Sequence, residues 1–166
     1  MAGYNRSTCS VDEVIKMNDI ISKLKTPQEC EQLASNVAQR SPDLANAALR
    51  RAVELRAASH GAKSEVEREA LQAVYAYERT LFQKHGKNIR ASRTWQMIDR
   101  HGILGAVERA VDRPTETAGY TALVELGMSD FAFEAIVCRH PEMFSVEAVE
   151  KSKERMKNWG SETNSK

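Results

Sequence analysis

Glycine and proline are scarce in this chain, with 8 and 4 residues among 166. Collagen-like and low-complexity chains need far more of both, so the composition excludes these classes. A large net charge is also missing, because 24 lysines and arginines balance 23 acidic residues to leave +1. Disordered chains usually combine low hydrophobicity with a large net charge, whereas 42% of these residues are apolar. The length and composition therefore predict a folded domain that buries a real core.

Long apolar runs are absent too, and none approaches the roughly 18 residues of a membrane-spanning segment. No apolar stretch follows Met1, so we expect no secretory signal and no membrane partner. Cys9, Cys30 and Cys138 are widely spaced, with no Cys-x-x-Cys pair among them. They are expected to be buried or partly buried free thiols of a cytoplasmic protein. The four histidines lack metal-binding spacings, so no metal or other cofactor is expected.

Signals for helix starts and ends recur along the whole chain. Ser10 and Thr26 are each followed three residues later by a glutamate, which is the spacing of a capping box. Gly61 and Gly86 follow apolar residues at spacings of three and four, as is typical of helix ends. No alternating run of β-branched residues is longer than about four, so a sheet is not expected. The pattern predicts an all-α, compact bundle of about seven or eight helices. The helices before residue 88 are expected to be long and those after it short.

In the second half, three serines are expected to cap helices, namely Ser92, Ser129 and Ser145. Gly102 is expected to break the helix that Ser92 opens. The last helix is predicted to end at Met156 or Trp159.

The domain organisation follows from this change in helix length near residues 84–88. It predicts an N-terminal helical region of residues 1–85 and a C-terminal helical module of residues 86–159. A disordered tail is expected at residues 160–166, and the two helical regions are expected to form one compact unit.

The near-neutral charge is the sum of two local imbalances. Residues 86–100 carry a net charge of +3, and residues 114–138 carry −4. Cations in the first stretch could contact phosphates, with Ser92 and the following N–H groups holding a phosphate at a helix start. Trp95 could stack on a base, or instead point into the core. The residues expected to bind nucleic acid are Lys87, Arg90, Ser92, Arg93, Trp95 and Arg100.

A second basic cluster consists of Arg50, Arg51 and Arg56 on the third predicted helix. Helical geometry spreads these three around the axis, so they do not form one stripe. Glu54 lies four residues after Arg50, which favours a local ion pair.

Carboxylates in the acidic stretch are candidate metal ligands. Asp130 and Glu134 share a helix face, but with Glu125 they lack the further ligands of a two-metal nuclease. Asp130 is explained by its place in the first turn of a helix, so no catalytic residue is assigned here.

The stretch from Gly119-Tyr120 to Leu126-Gly127, with Asp130 and Glu134-Ala135 after it, carries a resemblance. Residues 90–156 resemble a helical module of uncharacterised bacterial proteins that accompanies endonuclease domains of restriction and defence systems. The resemblance implies a DNA-related setting and supplies no catalytic residues. The chain has no H-N-H, GIY-YIG or PD-(D/E)xK signature, so the nuclease part is absent.

Three functions remain open from the sequence. The first is non-catalytic binding of nucleic acid, with DNA favoured, through residues 84–100. The second is a protein–protein adaptor or homo-oligomer, in which the +3 segment meets a −4 segment of a partner or second copy. The third is a helical ribonuclease, because Arg79 and His85 loosely match the R-x4-6-H motif of the HEPN class.

Overall fold

Eight α-helices and no strand occupy the part of the chain that the computed structural model describes, residues 10–114 and 118–163. In chain order they are α1 (Val11–Lys23), α2 (Pro27–Val37), α3 (Pro42–Ala58), α4 (Glu65–His85), α5 (Ser92–Val111), α6 (Ala118–Glu125), α7 (Phe133–Arg139) and α8 (Val146–Thr163). Short 3₁₀ turns precede and follow α7. The all-α class and the number of helices are confirmed. With 18 residues, α8 is longer than the short helices predicted after residue 88. The 20 residues of α5 are divided at Gly102 into two short helical segments, as the sequence predicts.

The first two helices begin with the predicted capping boxes. The Ser10 hydroxyl accepts a hydrogen bond from the Glu13 N–H at 3.3 Å, and the Glu13 carboxylate accepts one from the Ser10 N–H at 2.9 Å. Thr26 and Glu29 repeat this reciprocal pair before α2. These side chains satisfy N–H groups that have no partner within the helix, so the local sequence fixes both starts.

Two of the three later caps differ from the prediction. Ser92 is the first residue of α5, and Ala91 occupies the cap position without a side-chain hydrogen bond. Ser129 opens a 3₁₀ turn, and Ala132 precedes α7, also without a side-chain cap. The third prediction is confirmed, because the Ser145 hydroxyl accepts a hydrogen bond from the third residue of α8 at 3.3 Å.

Contacts divide the chain into two units, Met1–Leu55 and Arg56–Lys166. The sequence-based boundary between residues 85 and 86 falls inside the second unit. The helices on either side of that boundary pack together, because α4 contacts α5, α6 and α7.

The first unit holds α1, α2 and most of α3. Its buried apolar residues lie on α2 and α3 and are Cys30, Ala34, Ala45, Ala48, Leu49, Ala52 and Val53. By contrast, α1 has no buried residue, and Val11 is 76% exposed although apolar residues recur along this helix.

The two described cysteines confirm the prediction of free thiols. Cys30 is buried and Cys138 is half-buried, and neither forms a disulfide. Burial raises the pKa of both thiols, so each is a poor nucleophile at neutral pH. Cys9 lies outside the described residues.

The central helix of the second unit is α4. Its buried side chains are Val66, Ala70, Leu71, Ala73, Val74, Ala76 and Thr80. Ala70 packs with Val107 and Val111 of α5 and with Val137 of α7, and α8 adds Ala148 and Val149 to the same cluster. Leu71 and Val74 pack instead around Trp95. Fully burying one such Val or Leu side chain contributes about 1.5–3 kcal/mol, so α4 positions the start of α5 firmly.

Two glycines in long helices behave differently. Gly102 interrupts α5 with φ of 74° and ψ of 171°, in agreement with the predicted break. Gly160 does not have a positive φ, and α8 continues past it to Thr163. Most of the predicted tail is therefore helical, and residues 164–166 lie outside the described part. Among the described helices, none is long and apolar enough to cross a membrane.

Candidate nucleic-acid interface

The junction between α4 and α5 presents four cations. Gly86 ends α4 in the left-handed conformation, with its N–H bonded to the Phe82 carbonyl, and the following residues lead into α5. We call Lys87, Arg90, Arg93 and Arg100 the basic segment. All four residues are exposed. Within residues 10–114 and 118–163, no carboxylate forms an ion pair with any of them. The charges of Lys87, Arg93 and Arg100 are therefore directed to solvent, whereas the Arg90 guanidinium lies against an aromatic ring.

Two of these cations lie on one face of α5. Arg93 and Arg100 are seven residues apart, which places them within about 20° of each other and about 10.5 Å apart along the helix axis. The break at Gly102 comes after both. Asp99, the one acid of residues 86–100, is exposed and points about 100° away from Arg100.

Trp95 has a structural role rather than the predicted stacking role. Trp95 is only 5% exposed, and its indole N–H donates a hydrogen bond to Glu78 Oε1 at 2.7 Å. The His60 ring stacks on it with centroids 4.9 Å apart, and the Arg90 guanidinium lies 5.2 Å from its ring centre. Because the ring is buried and already covered, it does not offer a free face to a base.

Glu78 connects α4 to the start of α5. Its Oε1 accepts hydrogen bonds from the Ala91 N–H at 2.8 Å and from the Trp95 indole. Hydrogen bonds to a charged group contribute about 1.5–3 kcal/mol each. The Ala91 N–H is thus held by a residue 13 positions earlier, which explains why the helix begins at Ser92 rather than after it.

The arginines of the second basic cluster have different hydrogen-bond partners. Arg50 Nε donates to Asn46 Oδ1 at 3.0 Å, and Arg51 pairs with Glu54 at 3.1 Å. Glu54 therefore forms a local ion pair within α3, with Arg51 as a partner.

Arg56 lies near the basic segment instead. Burial raises the pKa of Tyr75, the Glu78 carboxylate raises it further, and the positive charges of Arg56 and Arg90 oppose this. Both arginines therefore lie close enough to Tyr75 to affect its ionisation.

A cavity of about 590 Å³ opens beside the first turn of α5. Arg90, Ser92 and Arg93 line it and are exposed, and Arg113, two residues after the end of α5, lines it as well. Its apolar lining includes Tyr77, Leu81, Met97, Leu123, Phe131 and Phe133. Arg113 was not predictable from the sequence, because it lies 20 residues after Arg93 and no local motif links the two. Only the tertiary fold brings them to one cavity.

Glu134 also lines this cavity and belongs to a buried ion pair. Its side chain is 7% exposed and that of Arg155 is 10% exposed, and their closest N–O distance is 3.1 Å. Arg155 also donates a hydrogen bond to the Arg113 carbonyl. Glu134 therefore does not contribute to an acidic surface for an adaptor, and Glu116 lies outside the described residues.

Arg79 and His85 are not brought together on α4. His85 lies six positions after Arg79, so the two residues are about 120° apart around the axis and about 9 Å apart along it. The Arg79 guanidinium lies over the Phe82 ring, 4.5 Å from its centre. This arrangement does not favour a shared acid–base site within one chain.

Metal-ligand chemistry has no evident location in the part of the chain that is described. No three histidine, cysteine or acidic side chains converge there as ligands. No protein-family model, curated protein or solved structure matches the chain. Function is therefore inferred from the residues of this chain alone.

Proposed function

We propose that the protein binds nucleic acid without catalysing a reaction, through its basic segment. The observation that supports this is the set of four exposed lysine and arginine side chains between residues 87 and 100, without carboxylate partners in the described ranges. Such side chains neutralise phosphates and release the counterions condensed on the polymer. DNA is the expected polymer because of the resemblance of residues 90–156.

The contacts follow from the local geometry. Arg93 and Arg100 reach two phosphates of one backbone from the same face of α5, while Lys87 and Arg90 approach from the preceding residues. The first turn of α5 has no side-chain cap, and the N–H groups of such a turn favour an anion. Ser92 is exposed beside them, and its hydroxyl, which donates a long hydrogen bond of 3.4 Å to the Arg90 carbonyl, would have to turn from that carbonyl to donate to a phosphate.

These contacts are all to the sugar–phosphate backbone of the nucleic acid, since Trp95 already packs against His60 and Glu78 inside the protein. Phosphate contacts set position and affinity but carry no direct sequence information. We therefore expect a weak preference for sequence and a strong dependence on salt.

Removing two of the phosphate contacts tests the proposal. We expect the double variant Arg93→Gln/Arg100→Gln to bind a fluorescein-labelled 20-base-pair DNA about tenfold more weakly at low salt, because two counterion-releasing contacts are lost. Fluorescence anisotropy measures the dissociation constants.

Arg109→Gln is the matched control, since Arg109 is another exposed arginine of α5 outside the basic segment. It should bind DNA within about twofold of the unmodified protein, because it removes a charge but none of the proposed contacts. Equal affinities for the double variant and the unmodified protein would refute the proposal.

A further inference from the structure

We propose that the cavity beside α5 binds a nucleotide, with its phosphate at the arginine rim and its base in the apolar interior. This goes beyond the binding of a strand by its backbone, although Arg90 and Arg93 belong to both sites. A volume of about 590 Å³ lies within the range of small-molecule sites, roughly 300–1,000 Å³.

The rim has the charge that a phosphate requires. Arg90, Arg93 and Arg113 all line the cavity, and in the described part of the chain none of them pairs with a carboxylate. Among the described residues, the Arg113 guanidinium donates to a weak acceptor, the Met97 sulfur, at 3.5 Å. Guanidinium groups match the oxygens of a phosphate with two parallel hydrogen bonds, so these arginines are suited to one.

The interior suits a flat ring rather than a second charge. Tyr77, Phe131 and Phe133 supply aromatic surface, and Leu81 and Leu123 supply aliphatic surface. Phe131 and Leu123 are 8% and 4% exposed, so this part of the lining is shielded from water. An inorganic phosphate would leave that apolar surface empty, whereas a base would cover it.

One buried carboxylate lies within this lining. Glu134 is held in place by Arg155, which donates to its Oε1. A carboxylate has about four acceptor positions, so it retains capacity for a further donor. The amino group of adenine, cytosine or guanine is such a donor, whereas uracil has no amino group and donates only through its ring N3–H. The cavity thus combines a cationic rim, an apolar interior and a buried acceptor, which are the features that recognise an amino-bearing nucleotide.

Titration calorimetry of the full chain with adenosine monophosphate tests this inference. We expect adenosine monophosphate to bind at least tenfold more tightly than adenosine or inorganic phosphate, because only the nucleotide fills both parts of the cavity. Uridine monophosphate should bind more weakly than adenosine monophosphate. The inference is overturned if adenosine monophosphate does not bind, or if inorganic phosphate binds equally well.

Variants locate the binding in the cavity. Arg113→Gln should weaken adenosine monophosphate binding about tenfold through loss of a charged hydrogen bond. Leu81→Trp should abolish it by filling the cavity, and circular dichroism checks that both variants are folded. Arg109→Gln, four residues before Arg113 and outside the cavity lining, should bind normally. If neither Arg113→Gln nor Leu81→Trp changes binding, the inference is wrong.

A free nucleotide and an unpaired nucleotide in a strand share this chemistry, and a DNA duplex with one unpaired 2-aminopurine separates them. If the 2-aminopurine fluorescence changes when the protein binds the duplex, and Leu81→Trp removes this change, the cavity holds an unpaired nucleotide of a strand. If the 2-aminopurine fluorescence stays the same although the protein binds adenosine monophosphate, the cavity holds a free nucleotide. Arg100 does not line the cavity, so Arg100→Gln should weaken DNA binding and leave nucleotide binding intact. DNA binding without any nucleotide binding would overturn this inference and leave the proposed function standing.

Discussion

At the residue scale, the carboxylates of Glu69, Glu78 and Glu134 each bind partners on another element of the second unit. Glu78 holds two N–H groups at the start of α5. Glu134 forms a buried ion pair with α8, and Glu69 of α4 holds residues at the end of α7. These partners could not be predicted from the sequence around each glutamate, because each partner lies 13 to 71 residues away along the chain. Their contributions to stability therefore differ and can be tested separately.

The buried pair of Glu134 and Arg155 should show strong coupling. We expect Glu134→Leu or Arg155→Met alone to lower the free energy of unfolding by about 3 kcal/mol, because each leaves a buried charge unpaired. The double variant should recover most of that loss, since no unpaired charge remains. Urea denaturation of the four proteins measures the coupling, and a double variant whose loss equals the sum of the single losses would contradict it.

Glu69 should make stability depend on pH. Burial by itself raises the pKa of this carboxyl, but hydrogen bonds from Arg139 at 2.7 Å and His140 at 3.1 Å outweigh burial and lower it below 4.5. The folded pKa is therefore lower than the unfolded one, and the unfolded state binds more protons. The stabilisation is present above about pH 4.5 and is lost as the pH falls through the folded pKa.

Urea denaturation of Glu69→Gln at several pH values checks this dependence. At pH 7 the variant should be less stable than the unmodified protein by about 1 kcal/mol, a discounted value for a partly exposed pair. The difference should shrink below about pH 4.5. Glu150→Gln, an exposed position of α8, is the control and should show no such trend. A difference for Glu69→Gln that stays constant from pH 7 to pH 3 would be inconsistent with the lowered pKa.

At the scale of the helices, local signals predicted the starts that depend only on nearby residues. Ser10 and Thr26 cap as expected, because each partner lies three residues away. Ser92 does not cap, because Glu78 from another helix holds the preceding N–H. The apolar residues of α1 predict a helix correctly but not its burial, because burial depends on what packs against it.

Two glycine substitutions should have opposite effects on stability. Gly102→Ala should lower the free energy of unfolding by about 1–3 kcal/mol, since its backbone conformation is accessible to glycine almost alone. No heavy atom lies within 4 Å of the added carbon, so the cost is in the backbone. Gly160→Ala, where the added carbon also meets no described heavy atom within 4 Å, should stabilise α8 by about 0.5–1 kcal/mol. Thermal unfolding measures both, and equal shifts in the same direction would contradict the assignment.

At the scale of the whole molecule, a net charge of +1 conceals a local cationic surface. Its lysine and three arginines were predictable as a group from the charge of residues 86–100, and they are exposed, as charged residues usually are. The cavity could not be predicted from the sequence, since Arg113, Glu134 and the aromatic lining come from separate parts of the chain. The proposed binding thus depends on where charges lie rather than on their sum.

The salt dependence of DNA binding tests the central proposal most directly. The logarithm of the association constant should fall linearly with the logarithm of salt concentration, with a slope of about 0.9 for each phosphate contact. Removing two contacts with Arg93→Gln/Arg100→Gln should reduce the slope by about 2, while Arg109→Gln should leave it unchanged. A slope that is identical in the double variant and the unmodified protein would contradict nucleic-acid binding through the basic segment.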